Sequence, residues 1–272
     1  MAPILAQVLA VTESLWPSAG AEGWDASGLV SGDAAAEISH IHLAVDAVLD
    51  TVDEAIEVGA DLVIAHHPLL LRGVTSIAED RYKGAILARL IRADCALLAA
   101  HTNADVVQSG TSATLAARLG LTELRPIVVG QSALTGIGRI GVLPVPTTLG
   151  RLARELGDIL HPTAGGILAS GSYDAPVSTI ALCAGAGDAY LADPGVLAAD
   201  VYITSDLRHH PASESRENAR ISGGPALIDV SHWASEWLWL ETAAGELRAA
   251  FGDVSVTVSE LRTDPWDFAI VQ

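Results

Sequence analysis

The 272-residue chain carries 33 Asp and Glu against 15 Lys and Arg, a formal charge of −18. That balance argues against a nucleic-acid partner, because a phosphate backbone needs a basic face. Half of the residues are apolar, enough to build a sizeable core in one large domain or two ordinary ones. No apolar run reaches the roughly 18 residues that a membrane span requires.

In chain order, "MAPILAQVLAVTESLWP" has no basic leader and carries Glu13 within its apolar pattern. It is therefore expected as an amphipathic helix rather than a signal peptide. Residues 49–60 are predicted helical, ending near Gly59, and "DLVIA" (61–65) follows as a buried strand. Residues 81–93 are helical again, with "CALLAA" (95–100) as the next buried strand, and 111–120 form a helix closed by Gly120. Cys95 lies in that second strand and Cys183 in "TIALCAG", neither at C-x-x-C spacing. Buried free thiols and a cytoplasmic setting are the expectation.

Further on, "TGIGRIGVLPVP" (135–146) reads as an edge or hairpin strand, leading into a helix over 147–158. Residues 177–191 give a strand, a small-residue turn and a helix start, and 200–206 a short strand. A buried strand followed by a helix occupies 224–251, and 254–261 alternates as a final strand. The fold class expected is α/β with two lobes, the central one inserted in the chain of the first. Residues 1–125 and 225–272 would form the first lobe, and 126–224 the second.

Open α/β sheets bind ligands at the carboxyl ends of their strands. "DLVIA" ends on His66 and His67, before Pro68. "CALLAA" ends on His101, Asn103 and Asp105. "DVYIT" ends on Asp206, with Arg208, His209 and His210 beyond, so that "DLRHHP" echoes "IAHHP". "PALIDV" ends on Ser231 and His232, with Glu236 four residues later and so on the same helical face. An adjacent His pair is often incidental, a His and a Glu one turn apart can be a solvated face, and Asp105 could cap the helix after it. Convergence favours a metal reading. His66, His67, Asp105, His232 and Glu236 are three imidazoles and two carboxylates at strand ends. That is a donor set for Zn, Mn, Fe, Co or Ni. It exceeds a single catalytic zinc and suits two divalent ions about 3.5–4 Å apart.

"WDASGLVSGD", "ADLVIAHHPLLLRG", "AAHTNAD", "VYITSDLRHH" and "LIDVSHWASE", in this order, resemble the Nif-three-like dinuclear-metal family, the GTP cyclohydrolase I type 2 homologues. The resemblance runs over residues 4–262. It implies the same five metal ligands, two α/β lobes and a ring-shaped homohexamer. The chain departs from the family's pattern at Ala26, Ser231 and Trp233, and across Arg208, His209 and His210, and it lacks the long inserted domain of some members. No metal ligand is lost. The implied activity is hydrolysis by a metal-activated water on a small molecule, with a nucleotide as the family's substrate. His101, Asp206 and His210 are candidates for proton transfer or for orienting the ligands. No G-x-x-x-x-G-K-[ST] loop and no basic run is present for a triphosphate. The alternatives are a metal-trafficking or cofactor-assembly protein, and an interaction protein whose metals are structural.

Overall fold

The computed structural model describes residues 2–270. They group into two compact units. One comprises residues up to Val107 together with Leu240–Thr263, and the other Gln108–Trp239 with residues from Asp264 on.

The first unit is built on a five-stranded sheet. Its strands are β1 (Gly28–Ser31), β2 (His40–Ala44), β3 (Leu62–Ala65), β4 (Ala96–Ala99) and, from late in the chain, β13 (Ser255–Val258). They lie in the order β1-β4-β3-β2-β13, with only β1 antiparallel to its neighbour. Every residue of β3 and of β4 is buried, as strands covered on both faces require. The helices of this unit are α1 (Leu5–Leu15), α2 (Leu49–Glu57), α3 (Tyr82–Arg92) and the short α4 (Thr102–Asp105). Val52 and Ala55 of α2 and Ile86, Leu87 and Leu90 of α3 pack with Val63, Ala65 and Leu97 of the sheet. Each fully buried aliphatic side chain there contributes about 1.5–3 kcal/mol. Because β2, β3 and β4 are parallel neighbours, their carboxyl ends lie side by side. The residues just past them are Asp46, His66 with His67, and His101.

The second unit holds a six-stranded sheet in the order β5-β8-β10-β11-β12-β9. Its strands are β5 (Thr122–Arg125), β8 (Arg139–Thr148), β9 (Leu168–Ser170), β10 (Pro176–Ala186), β11 (Val201–Ser205) and β12 (Ala226–Val230), and β6 (Val128–Val129) with β7 (Gly136–Ile137) forms a small hairpin. Only β10, β11 and β12 run parallel. The helices are α5 (Thr111–Arg118), α6 (Leu149–Ile159), α7 (Pro194–Leu197), α8 (His209–Ser222) and the start of α9 (His232–Ala250), which runs past Trp239 into the first unit's share of the chain.

Sequence and structure differ at several places. The strand expected at an edge, β8, lies between β5 and β10. Its Pro144 and Pro146 lie past Val142, which pairs with Thr122 at the start of β5, so their missing N–H groups interrupt no ladder on that side. Residues 225–239 group with the second unit rather than with the first, because β12 pairs with β11 and β9. Strands β1 and β2 and helix α8 carry no prior expectation. Among the described residues no helix is long and apolar enough to cross a membrane.

Candidate metal centre

In the first unit, His66, His67 and His101 bring one ring nitrogen each to within 4.8 Å of one another. His66 is fully buried, and its Nδ1 donates to the Ala100 carbonyl at 2.8 Å. His67 Nδ1 donates to Asp46 Oδ1 at 2.7 Å, and His101 Nδ1 donates to Asp25 Oδ1 at 2.7 Å. A neutral imidazole that donates through Nδ1 keeps its lone pair on Nε2. All three rings are therefore held in the tautomer that offers Nε2. Asp105 ends α4 with Oδ1 3.7 Å from His66 Nε2. The helix after it takes Gly110 as its N-cap, so Asp105 is not that helix's cap.

The acceptors behind these rings are themselves fixed. The Asp25 carboxylate is enclosed and also accepts from the Ala26 N–H, Ser27 Oγ, and the N–H and Oγ of Thr102. Burial works to raise its pKa, but the hydrogen bonds from Ser27, Thr102 and His101 outweigh that and hold the carboxyl well below the usual range. Asp46 accepts from Thr263 Oγ1 as well as from His67. Burial, and next the neighbouring His66, push the His101 imidazole below its ordinary pKa despite Asp25 and Asp105.

In the second unit, α9 opens on His232, with Glu236 one turn on. His232 Nδ1 donates to Asp206 Oδ2 at 2.7 Å, and its Nε2 lies 3.0 Å from Glu236 Oε1. The pattern of the first unit recurs, with Nδ1 anchored and Nε2 presented beside a carboxylate. Burial disfavours the imidazolium, but Glu236 and Asp206 overcome it and push the His232 pKa up to about 11. Asp206 sits at the end of β11 with φ +56°, a left-handed backbone that Asp tolerates better than most residues. Gly185 in β10 has φ +71°, and a Cβ built there would lie 2.3 Å from Glu236 Oε1. Its N–H donates to Ser235 Oγ at 3.0 Å and its carbonyl accepts from Thr204 Oγ1 at 3.0 Å. Ser231 Oγ donates to Asp264 at 2.6 Å and accepts the Ala234 N–H at 3.2 Å, tying down the first turn of α9.

The donor chemistry fits divalent ions. Imidazole Nε2 atoms beside Asp105 and Glu236 match first-row metals, and an Nδ1–H held by a carboxylate or carbonyl is the usual support of a ligating histidine. His210 stands apart from this pattern. It is exposed in the first turn of α8, its ring 5.3 Å from that of His209. Two supporting residues carry no role in the sequence reading. Asp25 lies in the Trp-Asp segment that the resemblance includes, and Asp46 follows a strand, β2, that the sequence reading passes over.

Known proteins share the sequence and the fold of this chain. The model of the Duf34/NIF3 (NGG1p interacting factor 3) family matches residues 4–265. A GTP cyclohydrolase 1 type 2 homolog of Streptomyces coelicolor is 42% identical over 271 residues, covering 97% of this chain and 94% of that protein. One from Mycobacterium tuberculosis is 32% identical, covering 97% and 96%. That alignment spans 373 positions, more than the 272 of this chain, so the mycobacterial protein carries insertions absent here. Among solved structures, a hypothetical protein of Staphylococcus aureus superposes with TM-score 0.87 at 28% identity, covering 99% of this chain and 100% of the other. A Bacillus cereus protein related to NIF3 shares the fold, with TM-score 0.88 at 23% identity and coverage of 99% and 100%. The chain belongs to the Duf34/NIF3 family.

Proposed function

We propose that this protein is a metal-dependent hydrolase in which His66, His67, Asp105, His232 and Glu236 hold two divalent ions. The observation that carries the reading is the shared anchoring of the histidines. His66, His67 and His101 each give Nδ1 to a fixed acceptor, the tautomer that leaves the lone pair on Nε2, and His232 gives Nδ1 to Asp206 with its Nε2 against Glu236. A histidine that serves only packing gains nothing from one shared tautomer. When bound, the ions would supply an acidified water and polarise the substrate's electrophile.

The chain's own residues divide the remaining work. Asp46 and Asp206 orient His67 and His232, and the Ala100 carbonyl orients His66. His101, whose Nδ1 donates to Asp25 and whose burial keeps the imidazole below its ordinary pKa, would take a proton from an incoming water and return it to a leaving group. His210 has no such anchoring in support of a catalytic part. The names of the relatives suggest a purine nucleotide as substrate, and the family resemblance suggests a homohexamer.

Metal analysis after loading should give two ions per chain, and light scattering a mass about six times 28.1 kDa. Incubation with nucleotides and nucleotide-derived phosphate esters should yield a hydrolysis product that chelation abolishes and added metal restores. Two readily exchangeable ions with no turnover on any of these would instead favour a metal-delivery protein. Fewer than two ions per chain would end the dinuclear reading.

A further inference from the structure

Beside His67 the first unit opens a cavity of about 310 Å³, lined by Asp46, Pro68, Arg72, Tyr82 and Lys83 among others. We propose that this cavity is an anion subsite that holds a phosphate group of the substrate, with Lys83 and Arg72 as its binding residues.

Cations are scarce in this chain, and Lys83 is its only lysine. Arg89, Arg92, Arg208, Arg220 and Arg248 are each paired with a carboxylate. Arg72 and Lys83 form no ion pair among the described residues. The only carboxylate in the lining is Asp46, and it already accepts from His67 and Thr263. Two cations outside any ion pair thus face one small cavity whose lining holds a single carboxylate, in a protein of charge −18. At physiological ionic strength the screening length is about 8 Å. The distant acidic surface is then largely masked from the cavity, whereas the two local cations are not.

The surroundings hold these groups in place. Lys83 Nζ lies 5.9 Å from the centre of the Tyr82 ring. Gly84 lets the preceding loop close on α3, since a Cβ there would lie 2.2 Å from the Ala78 carbonyl oxygen. Arg92 clamps the same loop through Glu79 at 2.6 Å. The first turn of α3 bears no acidic residue and no side-chain cap, so nothing in it opposes an anion. A guanidinium and an ammonium on one phosphate are complementary, the first giving forked hydrogen bonds and the second a compact charge. The volume is at the small end for ligand sites and suits a phosphate with part of the group it esterifies. That Arg72 and Lys83 serve a substrate rests on the hydrolase reading above, since it places the reacting atoms next to His67. The anion site itself stands on the first unit alone.

A single lysine makes the test specific. Acetylation of Lys83 by an amine reagent can be followed by peptide mass spectrometry, which separates it from the N-terminal amine. The full-length protein is used metal-stripped and metal-loaded, with inorganic phosphate as probe and sodium chloride at matched ionic strength as control. Phosphate at millimolar concentration should slow Lys83 acetylation several-fold in both forms. Arg72→Gln should abolish most of that protection while leaving metal stoichiometry unchanged. In metal-stripped His66→Ala, protection should persist. Absence of protection in both wild-type forms would overturn the proposal. So would protection confined to the metal-loaded protein and indifferent to Arg72→Gln, which would place the phosphate on the metals and leave the metal reading intact. Protection lost in Arg72→Gln, in a protein that binds no metal, would uphold the anion site and end the hydrolase reading.

Discussion

The chain contains two His-His-Pro segments, and they have opposite fates. His66 and His67 follow β3 directly, and each ring gives Nδ1 to a fixed acceptor, the Ala100 carbonyl for one and Asp46 for the other. His209 and His210 follow β11 at a distance of four residues, open helix α8, and are exposed. Adjacency in sequence therefore says little about how a pair of histidines is held. What separates the pairs is whether the backbone stops at a strand end, where neighbouring parallel strands bring acceptors to the second ring nitrogen. A third case sharpens the contrast. His42 is buried in β2, but its Nε2 donates to Glu54 at 3.1 Å and its Nδ1 accepts from Thr257 Oγ1 at 2.8 Å. It is the other tautomer with both nitrogens in use, a structural histidine.

Four experiments can break this comparison. His66→Ala should weaken metal binding by more than about 100-fold, whereas His209→Ala/His210→Ala should leave metal content at the wild-type level; metal-loading titrations of both would reverse the assignment if the order were inverted. Next in size, Glu236→Gln keeps shape and helix propensity but removes a charged donor, and should cost at least about ten-fold in metal affinity with fold and oligomer unchanged. Equal affinities in a competition with a chromogenic chelator would remove Glu236 from the ligand set. Asp46→Asn retains an oxygen for His67 Nδ1 without the negative charge, so a loss of about ten-fold is expected. No loss would mean that charge behind the imidazole is irrelevant.

The smallest effect concerns His42. Burial holds its pKa below 6.5 although Glu54 works the other way. As pH falls below 6.5 the unfolded chain therefore binds a proton that the folded one refuses. The stability this site provides is present above pH 6.5 and is lost as pH drops through the folded value. His42→Gln should cost about 1–3 kcal/mol at neutral pH and should flatten the decline of Tm below pH 6.5. A parallel decline in both proteins would exclude His42 as the titrating group.

Much of this was readable in advance, for identifiable reasons. The runs "LVIA" and "ALLA" are continuous and apolar because β3 and β4 are covered on both faces, and a polar residue ending such a run is conspicuous. His66, His67, Asp105, His232 and Glu236 were visible in that way as candidates. Asp46 was not, because "HIHLA" mixes His with apolar residues and hides β2, although Asp46 stands past its carboxyl end like the others. The cavity cations were invisible for a different reason. They belong to no basic run, since Arg72 comes from a loop and Lys83 from the first turn of α3, eleven positions on. Only folding makes them neighbours of one space. The β8 prolines misled because Pro reads as an edge signal, and β5 is too short to be disturbed by them.

Gly185 brings no side chain to the site, yet the room for Glu236 depends on that lack. Every substitution adds a Cβ, both to a backbone that disfavours one and to space that the carboxylate occupies. In a saturation library selected for metal content, this position should be as intolerant as a ligand. In the same library selected only for soluble expression, the intolerance should shrink to the cost of the backbone conformation. The gap between those two profiles would mark Gly185 as a residue whose contribution is vacancy, one that a search for reactive side chains would never return.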